Sequence, residues 1–420
     1  MIEERMQSTG KKRLALFFDG TWNEPGNHTN VWRLYLMLAE RSQDGIEQKS
    51  FYDEGVGTRF YDRVSGGAFG AGLSDNVRKG YRWLMEHYNS GDEIFLFGFS
   101  RGAFTARSLA GLIAKCGLLR PEAPLSFMQV YERYQMGDAA HPIHELIRKK
   151  EEQKDFTFED KLLLRYSRYH RDFIKMVGVW DTVGSIGIPF GNIKGVSRRS
   201  LWFHYTNLST TIHHSYQALA IDEQRRPYWA VLWNKFEPDH SDIVAATARD
   251  NRVVEQRWFS GAHANVGGGY RSDLLPQRPL AWMQEKATNC GLTFRSQVCV
   301  TNDDLNMQPR DSYSEFLRGT WKTLTFGRRY IRPLMAEPVV KMARTKGEVI
   351  VIPGKVGPVN ERIDISVFKR CQRHSQYRPA SLIEWAQRKG LDIKKIIDTP
   401  ENFPELWLPV TTVAISATHS

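Results

Sequence analysis

Short apolar runs set between polar, glycine-marked turns recur along the first two-thirds of the chain. Arg13-Leu-Ala-Leu-Phe-Phe18 ends at Asp19-Gly20-Thr21, which predicts a buried strand running into a turn. Thr29 or Asn30 then caps a helix with apolar residues at Val31, Leu34, Tyr35 and Leu38. A second strand is predicted near Ser50 to Asp53, followed by a glycine-rich loop from Gly55 to Gly72 and a helix from about Ser74 to Tyr88. Glu93-Ile-Phe-Leu-Phe97 is the next apolar strand, and residues 103–114 repeat Phe104, Leu109, Leu112 and Ile113 at helical spacing. Pro121 to His170 is charged, helical in pattern and poor in strand formers, so an inserted helical lid or cap is expected there. Strand character returns at Phe173 to Trp180 and again from about Val254 to Ser260, while the stretch holding His213-His214 looks helical.

Strands alternating with helices predict an α/β fold with a mostly parallel central sheet and helices on both faces. At 420 residues the chain suits one catalytic domain over about 13–310, with the insertion at about 121–170, and a C-terminal region over 311–420. That last region is rich in Arg, Lys and aromatics, as in Trp321-Lys322 and Phe326-Gly-Arg-Arg-Tyr330, and reads as a basic accessory part packed on the core.

Composition narrows the class further. Hydrophobic residues make up 41% and charged residues 25%, which excludes wholesale disorder. No apolar run nears the ~20 residues of a membrane span, and the polar start lacks a secretory signal, so a cytoplasmic origin is expected. The four cysteines form no CxxC pair, no metal-ligand spacing stands out, and no Walker or dinucleotide motif occurs, so neither metal nor cofactor is expected. A net charge of +11 favours acidic partners, whether anionic lipid surfaces, nucleic acid or acidic substrates, with a surface charged for solubility as the alternative reading.

Gly98-Phe99-Ser100-Arg101-Gly102 is the chemical centre of the sequence. It matches G-x-S-x-G, in which a strand turns sharply into a helix so that the serine hydroxyl stands above the sheet edge. The pentapeptide alone would arise by chance about once in seven chains of this length, but here it follows an apolar strand and opens a periodic helix. Serine needs a histidine to take its proton and a carboxylate to orient that histidine. In the chain order of α/β hydrolases these follow the serine as acid, then base. Asp181 directly follows the strand ending at Trp180, and His263 lies in the glycine-rich loop from Ser260 to Tyr270; His213-His214 compete for the base. For the oxyanion hole, the backbone N–H of Arg101 and one from Gly20 or Thr21 are expected, with Asp19 as a brace of that early loop.

Seven motifs in order then carry a resemblance. They are Phe17-Phe-Asp-Gly-Thr-Trp-Asn23, Thr29-Asn-Val31, Tyr52-Asp-Glu-Gly-Val-Gly57, Gly98 to Phe104, Val179-Trp-Asp-Thr-Val-Gly184, Ala218 to Glu223, and Gly261 to Tyr270. Over Arg13 to Trp282 the chain resembles the DUF2235 family of α/β hydrolases, which includes the catalytic domain of Tle1-type phospholipase effectors of type VI secretion. The resemblance implies a triad of Ser100, Asp181 and His263 and phospholipase A-like ester hydrolysis without a metal. It also implies a lipid substrate and, for an effector, export with a secretion or immunity partner. Asn265 stands where the family loop often has Asp, and it is a candidate for site support. An esterase or thioesterase on a soluble acyl substrate, and a non-catalytic binder with the same fold, are the alternative expectations.

Overall fold

A computed structural model of the chain describes residues 10–20, 28–55, 66–152, 156–170, 173–183, 211–237, 253–345 and 348–407. Its centre is a seven-stranded sheet built from the apolar runs. In chain order the strands are β1 (Lys12–Phe18), β2 (Glu47–Asp53), β3 (Glu93–Phe99), β4 (Ile174–Trp180), β5 (Ile212–Ala220), β6 (Val253–Phe259) and β7 (Glu361–Ile363). Their order across the sheet is β7-β6-β5-β4-β3-β1-β2, and every neighbouring pair is parallel.

Alternate side chains of each strand enter different cores, as a pleated strand requires. Leu14, Leu16, Phe18, Ile94 and Leu96 face one apolar cluster, shared with α2 (Gly66–His87) and α3 (Arg101–Cys116). Ala15, Phe17, Phe95 and Phe97 face the other, shared with α1 (Asn30–Met37) and a later helix, Gln277–Asn289. Parallel strands covered on both faces make this an α/β fold with a parallel central sheet, as expected.

Several local expectations are corrected. Helix α2 starts at Gly66, so part of the segment expected as a glycine-rich loop is helical. His213 and His214 lie on strand β5, not in a helix; the strand is buried on both sides and holds Gln217 inside, which hides its alternation. The insertion does form three helices, Phe127–Gln135, Ile143–Glu151 and Phe158–Tyr166, the first and third opened by capping boxes. It is not placed as a lid. Val130, Tyr134, Ile143 and Leu163 join the core around α3, and Lys115 Nζ and Cys116 Sγ bond to carbonyls of Gly137 and Val130 at the far end of that helix. From Ser100 to these contacts the helical rise alone is roughly 20 Å.

The C-terminal region is built into the sheet. β7 adds an edge strand against β6, pairing Glu361 with Gln256. Ile363, Val367, Phe368, Leu382 and Ile396 pack against Leu219 and Trp258 in a third apolar cluster. The boundary drawn near residue 311 therefore divides in sequence what one sheet joins in space. Among the described residues no helix is long and apolar enough to cross a membrane.

Glu361, on this edge strand, is buried and accepts the indole N–H of Trp258 at 2.7 Å. Burial pushes its carboxyl up to about 7 from an ordinary 4.5. Between those values the folded protein holds a proton that the unfolded chain has released, so stability falls as pH rises through this window. Glu361→Gln keeps the acceptor without the charge. It should match the wild type near pH 4.5 and exceed it by on the order of 3 kcal/mol at pH 8. Thermal melts at both pH values check this; the same difference at both would contradict it.

Candidate active site

The carboxyl ends of β3, β4 and β6 gather the site. Phe99 is in register with Trp180, and Trp180 with Ala218. The ladder continues past the strands, with Ser100 N–H bonded to Trp180 O at 3.0 Å and Asp181 N–H to Ala218 O at 2.7 Å. Parallel register thus sets Ser100 and Asp181 side by side, although the chain between them runs through α3 and the whole insertion.

Ser100 joins β3 to α3 with φ 59°, in the left-handed region that an L-residue enters at a cost. The flanking glycines are required by space. A Cβ on Gly98 would lie 2.3 Å from Gly102 O, and one on Gly102 would lie 2.0 Å from Phe18 O. The helix start is pressed against the backbone of its own strand and of β1, and the hydroxyl is forced up from the sheet edge.

His263 opens a short helix, His263–Gly267, after β6. Its Nε2 lies 2.8 Å from Ser100 Oγ, and its Nδ1 lies 2.5 Å from Asp181 Oδ2. The ring is packed between Phe99, centroids 4.7 Å apart, and Tyr228, 5.0 Å apart. A Cβ on Gly267 would enter the Phe99 ring at 1.9 Å, so this glycine lets the histidine loop close on the serine strand. Burial lowers the basicity of His263, opposed by its bond to Asp181, and the net direction is down. That direction favours the neutral imidazole, the form that accepts a proton. His213 and His214 sit at the start of β5, the opposite end of the sheet.

Asp181 is fully buried. Burial would raise its pKa, but the Arg332 guanidinium and the His263 hydrogen bond outweigh this and hold the carboxyl well below the usual range. Arg332 donates to Oδ1 at 2.6 Å and to Oδ2 at 3.0 Å, and the Ala220 N–H adds a bond to Oδ1 at 3.0 Å. Glu223, also buried, accepts the His263 backbone N–H at 3.2 Å and a two-pronged pair from Arg225 at 2.8 Å each. The Arg225 guanidinium in turn lies 3.7 Å from the Tyr228 ring centroid. Sequence reasoning missed Arg332, Arg225 and Tyr228. Nothing local marks Arg332 among the arginines of its segment, since its partner is 151 positions away. Glu223 was visible only as part of a motif.

The early loop is braced as expected but not aimed as expected. Asp19 accepts from Thr29 Oγ and from Tyr52 OH at 2.9 Å. It also takes the Gly20 N–H at 2.7 Å, so that N–H is directed onto a carboxylate and not presented as an oxyanion donor. Thr21 lies outside the described residues. Arg101 is the first residue of α3, whose leading N–H groups the helix itself cannot satisfy. Asn265 holds the histidine loop: its Oδ1 accepts from Ala262 N–H at 3.0 Å and Arg310 N–H at 3.2 Å, and its Nδ2 donates to Asp273 at 2.8 Å. Among the described residues no cluster of three or more His, Cys, Asp or Glu side chains suits a metal ion.

Asn265→Asp would replace that donor by a second carboxylate facing Asp273, whose own carboxyl is already pushed up by burial. The expected cost is ~1–3 kcal/mol at pH 7, shrinking near pH 5 as the pair takes up a proton. Thermal melts at the two pH values measure it, and a variant as stable as the wild type at pH 7 would contradict the assignment.

Residues 12–286 match the family described as type VI secretion system (T6SS) phospholipase effector Tle1-like, catalytic domain. An uncharacterized Saccharomyces cerevisiae protein, YEL023C, is 29% identical over 327 residues, covering 68% of this chain and 45% of its own length. The chain thus spans less than half of that relative. Among solved structures, an uncharacterized Pseudomonas aeruginosa protein aligns at 15% identity and TM-score 0.36, covering 75% of this chain and 56% of that one. The Tle1 effector bound to the VgrG spike aligns at 13% and 0.32, covering 85% and 92%. Thermogutta terrifontis esterase 2, phosphonylated by cyclosarin, aligns at 13% and 0.33, covering 67% and 83%.

Proposed function

Because the chain belongs to the Tle1-like family of phospholipase effector catalytic domains, we propose that it is a serine hydrolase that cleaves the acyl esters of phospholipids. The observation that carries this reading is the continuous chain of hydrogen bonds from Ser100 Oγ through His263 to Asp181, at 2.8 and 2.5 Å. His263 Nε2 takes the serine proton as Oγ attacks the ester carbonyl. Asp181 keeps the Nδ1–H tautomer and stabilises the imidazolium. The Arg101 N–H, at the positive end of α3, is the proposed donor to the developing oxyanion. The imidazolium then returns its proton to the departing alcohol, leaving an acyl-enzyme that water hydrolyses by the same steps in reverse order.

The surface favours a lipid interface as the place of action. Phe326 is 90% exposed and Leu324 52% exposed, two apolar side chains two positions apart in the chain. Lys322 and Arg328 flank them, and the same segment continues into Arg332 at the site. An apolar tip with a basic rim suits insertion among anionic headgroups. The family's setting extends the proposal to export by a type VI secretion system, with a spike or immunity protein as partner.

Ser100→Ala should cut fatty-acid release from mixed phosphatidylcholine–phosphatidylglycerol vesicles by ~10⁴-fold or more; an unchanged rate would refute the nucleophile. Phe326→Asp should lower vesicle turnover about tenfold while sparing hydrolysis of a soluble short-chain ester. Equal rates on vesicles for wild type and variant would remove the docking argument. Activity on the soluble ester alone would assign the enzyme to esterases of soluble substrates.

A further inference from the structure

The triad carboxylate is held by a residue that lies beyond the matched catalytic domain. Arg332 is 1% exposed, and its two terminal nitrogens reach both oxygens of Asp181. The same nitrogens also donate to the carbonyls of Ala220, at 2.9 Å, and Tyr228. Its segment is fixed by backbone and side-chain bonds: Tyr330 N–H reaches Gln224 O at 2.9 Å, and Arg329 bridges Asp311 and Gln224. A planar guanidinium gripping a carboxylate at two points sets both position and tilt, which a lysine ammonium cannot do. A buried cation also shares the carboxylate's charge, and so weakens the attraction that would otherwise protonate the neighbouring imidazole.

We propose that Arg332 is a positioning residue of the triad. It locks Asp181 in the plane that serves His263, and it keeps His263 an unprotonated base to lower pH than an Asp–His pair alone would allow. The inference rests on the serine-hydrolase reading. It makes the segment around 328–332 part of the working site, so the catalytic unit does not end at residue 286. Other groups facing His263 are the Ser100 hydroxyl, the Tyr228 ring, and Glu223 with Arg225, whose charges are spent largely on each other. Among the described residues, Arg332 is the cation bonded to Asp181 itself.

Without Arg332 the acidic limb of the pH–rate profile moves upward by either available route. An unshared Asp181 charge strengthens its hold on the imidazolium, so His263 protonates at higher pH. A buried Asp181 without its cation also takes up a proton more readily, and then no longer orients the base.

The test uses full-length wild type, Arg332→Gln and Arg332→Lys on a soluble chromogenic ester, with kcat and KM measured across pH. Arg332→Gln should lose roughly 10–100-fold in kcat with KM little changed, and its acidic limb should rise by about one pH unit. Arg332→Lys retains charge but not the two-point grip, so its limb should stay near that of the wild type while kcat falls. A Gln variant with the wild-type limb, or Gln and Lys variants with equal shifts, would overturn the proposal. Should the Gln variant fail to fold, the Lys variant decides alone: wild-type kcat in it would overturn the positioning role. Ser100→Ala measured alongside keeps the two questions apart. Wild-type turnover in that variant refutes the hydrolase reading, whereas a dead Ser100→Ala beside an unaffected Arg332→Gln refutes only the role of Arg332.

Discussion

A single carboxylate with no access to water organises this molecule's working end. Asp181 can be charged there only because three donors from separate parts of the chain converge on it: His263, the Ala220 N–H and Arg332. An ionised carboxylate buried without such partners would be strongly disfavoured. The need to satisfy it ties the ends of β4 and β5, the histidine loop and a C-terminal segment into one structure. Removing any one partner leaves the others facing an incompletely paired charge, which is costly in a buried site.

The second constraint is steric. Gly98 and Gly102 allow the start of α3 to touch β1 and β3 at distances no side chain would permit, and Gly267 does the same for the histidine loop against Phe99. These contacts hold the serine and the histidine close to the same strand, β3. The helical insertion stabilises the distant end of α3, and the early loop braces itself through Asp19, Thr29 and Tyr52. Rigid elements thus support Ser100 and His263, as the proposed proton relay of about 3 Å demands.

Much of this was legible in the chain itself. Buried parallel strands are dense apolar runs, so β1, β3, β4 and β6 stand out, and the turns after them carry Ser100, Asp181 and His263 in sequence. Elsewhere the signal failed for identifiable reasons. β5 carries His213, His214 and Gln217, polar residues that blur a strand's pattern; Gln217 is satisfied inside the sheet by Gln256 at 3.0 Å. β7 is three residues long, too short for any periodicity, and depends on its pairing with β6. Arg332 looks like one more solvated cation until its partner is known. The Gly20 N–H was assigned from its place in the loop, whereas its direction is set by a carboxylate one residue earlier.

The central claim is that the convergence of Ser100, His263 and Asp181 produces a reactive nucleophile. The most direct measurement is the site of covalent capture: treat the native protein with a fluorophosphonate, digest it, and locate the added mass by peptide mass spectrometry. The account predicts one adduct, on Ser100, formed at least ~10²-fold more slowly when His263 is replaced by Ala. No adduct, or one on a residue other than Ser100, would contradict it.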